Sequence, residues 1–184
     1  MSSEPPVVVR CLGRFSIALN GHRLDLDRLR PQARQVLQIL AVNGEGPVHR
    51  EVLTDALWPD SDPHRSFARL HTAVYDLRRF LEPAHELRRS ALLRHSGQTY
   101  RLVLPPGSRS DIADFDRAWS SARHALAGGR TEEAVGALRT AWAAYGGELL
   151  PEAGPAEWLQ EWRGMLRLRA LWVERTLAQL GVQP

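Results

Sequence analysis

Residues 63–81 read PHRSFARLHTAVYDLRRFL. Asp62 stands before the run as a helix cap, and Pro63 suits a first helical position. Phe67, Leu70, Val74, Leu77 and Leu81 then recur at the three- and four-residue spacing of one helix face. Pro83 closes the run. The spacing predicts a long amphipathic helix from about Pro63 to Leu81. With the apolar stripe turned inward at about 100° per residue, Ala68, Thr72, Tyr75 and Arg79 point directly away from the core. Arg65, His71 and Asp76 flank that outward row.

Upstream, Val7 to Leu12 is rich in β-formers, and Phe15 to Leu19 alternates as a half-buried strand does. Gly13 and Asn20-Gly21 mark turns, and Leu24 and Leu26 alternate with polar neighbours, so a small antiparallel sheet is expected. Pro31 opens a helix with Ala33, Val36, Leu37, Leu40 and Ala41 on one face, and Asn43-Gly44 stops it. Val48 falls in a short extended piece. A second helix over about 50–57 is expected to bury Val52, Leu53, Ala56 and Leu57, and 58–62 forms a loop.

Downstream, Leu92 to His95 and Thr99 to Val103 flank a Ser96-Gly97 turn and read as a β-hairpin. Pro105 to Ser108 is linker-like. Everything beyond reads as helix. One helix spans about 112–126 and stops at Gly128-Gly129. A second, capped by Thr131 with Glu132 and Glu133 in its first turn, ends near Tyr145. A third, opened by Pro155, runs to about Leu180. Trp119, Trp142, Trp158, Trp162 and Trp172 sit on or beside the apolar stripes and read as packing residues. Three helices leave Trp162, Leu166, Val173 and Leu177 with too little to pack against, so apolar surface is expected there.

All 24 basic residues are arginine, and the formal net charge is +3. Between Pro63 and Pro105 there are eight arginines against three acids, a local surplus that suits a polyanion. No stretch approaches the roughly 18 apolar residues of a membrane span, and Met1 to Pro6 lacks the features of a signal peptide. A lone cysteine, Cys11, allows no internal disulfide, so a reducing cytoplasm is expected. His64 and His71 are two helical turns apart, too far to share a metal. The sequence holds no phosphate-cradling glycine loop with a lysine and no nucleophile–base arrangement, so neither cofactor nor enzymatic activity is expected.

The order sheet, helix, helix, long helix, hairpin is that of a winged helix-turn-helix. In it the outward face of the third helix can enter a major groove. Arg94, Gln98 and Arg101 lie on or beside the hairpin, placed to meet phosphate or the minor groove. The segment Val48 to Asp60 resembles the second helix of OmpR-type DNA-binding domains. Leu77 to Pro83 resembles the end of their recognition helix, and Tyr100-Arg101-Leu102 their last wing strand. Asp111 to Phe115, Ala134, Leu138, Tyr145-Gly146-Gly147 and Trp158 resemble the bacterial transcriptional activator domain. The pair of domains is similar to the plan of the antibiotic-regulatory-protein (SARP) family.

The expected fold is therefore an α+β winged helix-turn-helix over residues 1–106 and a linker over 107–110. An all-α, tetratricopeptide-like and incomplete activator domain follows over 111–184. The resemblance implies sequence-specific binding of double-stranded DNA, homodimerisation on direct repeats and recruitment of RNA polymerase. It adds Arg69 to the groove-facing set of Ala68, Thr72, Tyr75, Asp76 and Arg79, and assigns the loop of Trp58, Asp60 and Asp62 to polymerase contact. Three features depart from the family pattern. Asp76 stands where a basic residue is usual, His49 replaces a hydroxyl cap, and the helical domain is short. Asp76 keeps a second class open, a protein-interaction module that has lost DNA binding. The basic segment favours the first.

Overall fold

In the computed structural model, which describes residues 5–81 and 92–183, three strands open the chain. They are β1 (Val7–Arg10), β2 (Ser16–Leu19) and β3 (His22–Arg23). Asn20 and Gly21 join β2 to β3 with φ of 48° and 80°. This is the two-residue turn whose paired positive φ angles favour Asn-Gly. It fixes the register Leu19 opposite His22.

Helix α1 (Pro31–Val42) follows, then β4 (Val48–His49), α2 (Arg50–Leu57), α3 (Pro63–Leu81), and the hairpin β5 (Leu93–Ser96) and β6 (Thr99–Leu102). Strand β7 (Arg109–Ser110) precedes α4 (Asp111–Ala127), α5 (Thr131–Ala144) and α6 (Glu157–Gln179). The architecture is mixed, a small N-terminal sheet with helices and then a helical region. The chain divides into two units. The first comprises Met1–Val8 and Ser16–Ser108, the second Val9–Phe15 and Arg109–Pro184.

In the first unit α3 packs on α1 and α2, and α1 also meets β6. Ala33, Val36, Leu37 and Leu40 of α1 are buried, as are Leu70, Ala73, Val74, Leu77 and Leu81 of α3. Phe67 is only half-buried, covered by the Arg50 guanidinium 4.2 Å from its ring centre. Asp62 does cap α3, its carboxylate accepting from the Arg65 N–H at 3.2 Å. His49 takes the hydroxyl residue's place at α2, its Nδ1 accepting from the Glu51 N–H at 3.4 Å. Pro83 lies outside the described residues.

Two local expectations fail here. Val52 is 54% exposed, while Ala56 and Leu57 are half-buried. The residues α2 buries are Leu53 and Thr54. In a helix this short one rotation of the face decides everything, and Thr54 tolerates the interior by donating its hydroxyl to the Glu51 carbonyl at 3.0 Å. The hairpin turn is Gly97-Gln98 rather than Ser96-Gly97, because Ser96 pairs with Thr99.

In the second unit α4 and α5 pack closely along each other, and α6 packs on α5. Phe115, Leu138, Leu159, Leu166, Val173 and Leu177 are buried. The expected apolar exposure at Leu166, Val173 and Leu177 is thus wrong, since the neighbouring helices cover them. The exposed leucines of α6 are Leu168 at 69% and Leu171 at 38%. Thr131 is the first residue of α5, not its cap; that position is Arg130, with no side-chain cap bond.

Residues 9–15 thread into this unit by polar contacts. The Asp111 carboxylate accepts from the backbone N–H groups of Cys11 and Leu12, both at 2.8 Å. Its pKa is raised by burial, against the pull of those N–H groups, the Ile112 N–H and the Arg10 charge. The chain then passes so close to Gly146 that a Cβ there would stand 2.7 Å from the Leu12 carbonyl oxygen. Arg163 donates to the carbonyls of Leu149 (2.9 Å), Leu150 (2.6 Å) and Gly154 (2.6 Å). It thereby holds a turn in which Leu150 has φ of 46°.

Candidate nucleic-acid interface

The outward row of α3 is where helical periodicity puts it. Arg65, Ala68, Thr72, Tyr75 and Arg79 are all exposed, Tyr75 to 59%. Thr72 donates its hydroxyl to the Ala68 carbonyl at 3.2 Å, which leaves its oxygen lone pairs to face outward as acceptors. Arg79 lies over the Tyr75 ring at 5.8 Å, so the two form one amphipathic projection.

Two members of the expected groove-facing set are otherwise engaged. Arg69 is exposed but leans toward the loop before α3, with its guanidinium 5.9 Å from the Trp58 ring and 3.5 Å from the Ser61 hydroxyl. Asp76 is only 25% exposed at its side chain and pairs with Arg30 at 3.4 Å. Of the loop residues, Trp58 is half-buried, Asp60 is exposed and Asp62 is spent on its cap.

The hairpin is tied to this helix system through backbone. Val48 pairs with Tyr100 and His49 with Thr99, and the Arg50 N–H donates to the Gln98 carbonyl at 2.8 Å. The hairpin turn therefore stands beside the start of α2. Tyr100 anchors the inner side, buried and stacked on His95 with ring centres 4.5 Å apart. Burial raises its pKa, while the charges of Arg78 and Arg50 pull it down. On the outer side Arg94 and Arg101 are directly opposite in register and both exposed, with Gln98 exposed in the turn. Like charges facing each other across a strand pair repel, and an anion between them removes that penalty.

Sequence reasoning passed over a second group of cations. Arg23, Arg28 and Arg30, all exposed, join Arg79 around a cleft of about 660 Å³ on the first unit. The run RLDLDRLR at residues 23–30 carried a signal in its arginines, but its acids masked it. Asp25 caps a turn by accepting from the Asp27 N–H, and Asp27 pairs with Arg34, so those acids are turned to local work.

Residues 110–183 match the bacterial transcriptional activator domain family. The transcriptional regulatory protein MoaR1 of Mycobacterium tuberculosis is 29% identical over 171 residues, which is 93% of this chain and 54% of MoaR1. The transcriptional regulatory protein EmbR of Mycobacterium bovis is 31% identical over 122 residues, 66% of this chain and 31% of EmbR. The chain thus spans about half, or less, of the length of these relatives. Among solved structures, Mycobacterium tuberculosis EmbR in complex with a low affinity phosphopeptide is similar with a TM-score of 0.78 and 26% identity. That likeness covers 93% of this chain and 44% of the other. No helix among the described residues is long and apolar enough to cross a membrane. Residues 110–183 thus match a bacterial transcriptional activator domain, and along most of its length the chain is similar to transcriptional regulatory proteins, which are regulators and not enzymes.

Proposed function

We propose that this chain is the DNA-binding portion of a cytoplasmic transcription activator, with residues 1–106 acting as a winged helix-turn-helix. In this reading α3 lies in the major groove, where Thr72, Tyr75 and Arg79 reach base edges and Ala68 allows close approach. Arg65 and the hairpin arginines Arg94 and Arg101 meet the phosphates, with Gln98 at the turn as a further contact. The loop carrying Trp58 and Asp60 meets RNA polymerase, and two copies occupy direct repeats. Residues 111–184 supply the first, tetratricopeptide-like helices of the activator domain.

The observation that carries the reading is electrostatic. Arg65 on α3 and Arg94 and Arg101 on the hairpin are exposed, and none has a carboxylate partner among the described residues. Unpaired arginine forks suit phosphate oxygens and guanine edges. Selection of bound DNA from a random pool, followed by titration of the selected site and of random DNA at several salt concentrations, tests it. The expected result is one recurrent sequence motif and a steep salt dependence. No salt-dependent binding to any DNA would refute it.

The exposed Leu168 and Leu171 on α6 favour a second reading, a protein-interaction module without DNA binding. That reading requires the refuting outcome of the same titration.

A further inference from the structure

We propose that Asp76 is a positioning residue whose task is to hold Arg30 against a DNA phosphate, rather than a reader of bases. The proposal rests on the DNA-binding reading above and adds to the interface a segment outside α3 and the hairpin.

Asp76 is an acid on a face otherwise suited to a polyanion. Asp76 follows the outward row on one side, one residue after Tyr75 and three before Arg79. When a helix lies in a major groove, its outermost row meets base edges and its flanks meet the phosphate walls. An acid at the flank is repelled by those walls unless something neutralises it. The Oδ2 atom of Asp76 is shut off from solvent and has no hydrogen-bond partner. A buried carboxylate oxygen in that state is costly. Its compensation is Arg30, with Nη1 at 3.4 Å. That oxygen is out of reach of a cytosine amino group, while Arg30 is 71% exposed. Nη1 of the guanidinium faces the acid, and most of the Arg30 side chain is open to solvent.

Arg30 also stands at a junction. It lines the cleft of about 660 Å³ with Arg23, Arg28 and Arg79, and a neighbouring cleft of about 390 Å³ with Arg69 and Thr72. Asp76 forms part of the wall of both. Arg23 and Arg28 have no carboxylate partner among the described residues. The pair therefore biases the Arg30 guanidinium toward the place where the flank of α3 meets Arg23 and Arg28. A phosphate backbone passing along that flank meets an Arg30 whose freedom the ion pair already narrows, and the lost side-chain freedom that long cations ordinarily add to binding is reduced.

The two effects of Asp76, ordering Arg30 and repelling phosphate, have opposite signs, and a double-mutant cycle separates them. Wild type, Arg30→Ala, Asp76→Asn, the double variant and Asp76→Glu are titrated with the selected site and with random DNA over a range of salt. Arg30→Ala should weaken both DNAs by similar factors and lower the salt slope by about one unit. Asp76→Asn should weaken binding about three- to tenfold when Arg30 is present, and should leave it unchanged or tighter when Arg30 is absent. Asp76→Glu, which keeps the charge, should lie closer to wild type than Asp76→Asn. The base preference of Asp76→Asn should match that of wild type. A changed preference at one base position would make Asp76 a base reader, and equal tightening in both backgrounds would make it a plain repulsive charge; either overturns the proposal, as does an absence of coupling. If wild type itself binds no DNA, both this inference and the proposed function fall, whereas wild-type binding without coupling sinks this inference alone.

Discussion

In the second unit Arg109 and Arg117 share Asp114, Arg130 pairs with Glu133, Arg169 with Asp116, and Arg163 with Glu148 and three backbone carbonyls. On the outer face of the first unit Arg65, Arg94 and Arg101 have no such partners among the described residues. The residue type is the same in both places. The difference lies in what surrounds it. Exposed ion pairs contribute little to stability, so the pairing in the second unit matters chiefly for charge: it neutralises these particular arginines, while Arg123, Arg139, Arg167 and Arg175 stay exposed without a carboxylate partner among the described residues. The first unit leaves its field uncancelled along α3 and the hairpin, which is what a surface for a polyanion requires.

The largest test of this contrast asks whether α3 is a scaffold with one buried and one free face. Leu77 is fully buried toward its C-terminal end. Leu77→Ala should destabilise the protein by about 2–5 kcal/mol in denaturant unfolding. An unchanged midpoint would mean that the helix presents a different face.

Arg163 tests the other half. Its side chain is 13% exposed and its donors close a turn. Arg163→Ala should cost about 2–3 kcal/mol, because three carbonyls lose a charged donor at once. A loss within the range of ordinary surface substitutions, about 0.5 kcal/mol, would place it with the solvated arginines instead.

The arginines of the first unit should behave in the opposite way, changing stability by less than about 0.5 kcal/mol while altering DNA binding. Arg79→Ala should cost about 1–3 kcal/mol on the selected site and relax preference at one base position. Arg101→Ala should weaken selected and random DNA alike and reduce the salt slope by about one unit. Equal losses on every sequence for both variants would mean that α3 positions the protein and does not read bases.

The smallest effect concerns Asp111, whose burial raises its pKa. Between the ordinary carboxylate range and that raised value, the folded protein keeps a proton that the unfolded chain has released. Stability should therefore fall as pH rises through this window and level off above it. Unfolding free energies of wild type and Asp111→Asn, compared from acid to neutral pH, should show that slope in wild type alone.

The outward row of α3 was legible because a single long period determines it: nineteen consecutive helical residues leave no choice of face once the apolar stripe is set. The Asn-Gly turn and the glycines that stop α1 and α4 were legible for a similar reason, since a positive φ is a local demand. In α2, only eight residues long, the pattern was too brief to fix the face, and Val52 came out exposed.

What the amino-acid order determined by itself was therefore local: where helices run, where they stop, which residues of α3 share a face, and where cations concentrate. What the tertiary structure decided was which distant groups meet. Asp76 finds Arg30 across the packing of two helices, and Cys11 finds Asp111 a hundred residues away in sequence. Leu166 and Val173 turn out to be covered by α6's neighbours. No periodicity encodes these meetings. They depend on how whole faces settle against one another, and an acid or an arginine looks identical in sequence whether its eventual partner is water, a carbonyl or a phosphate.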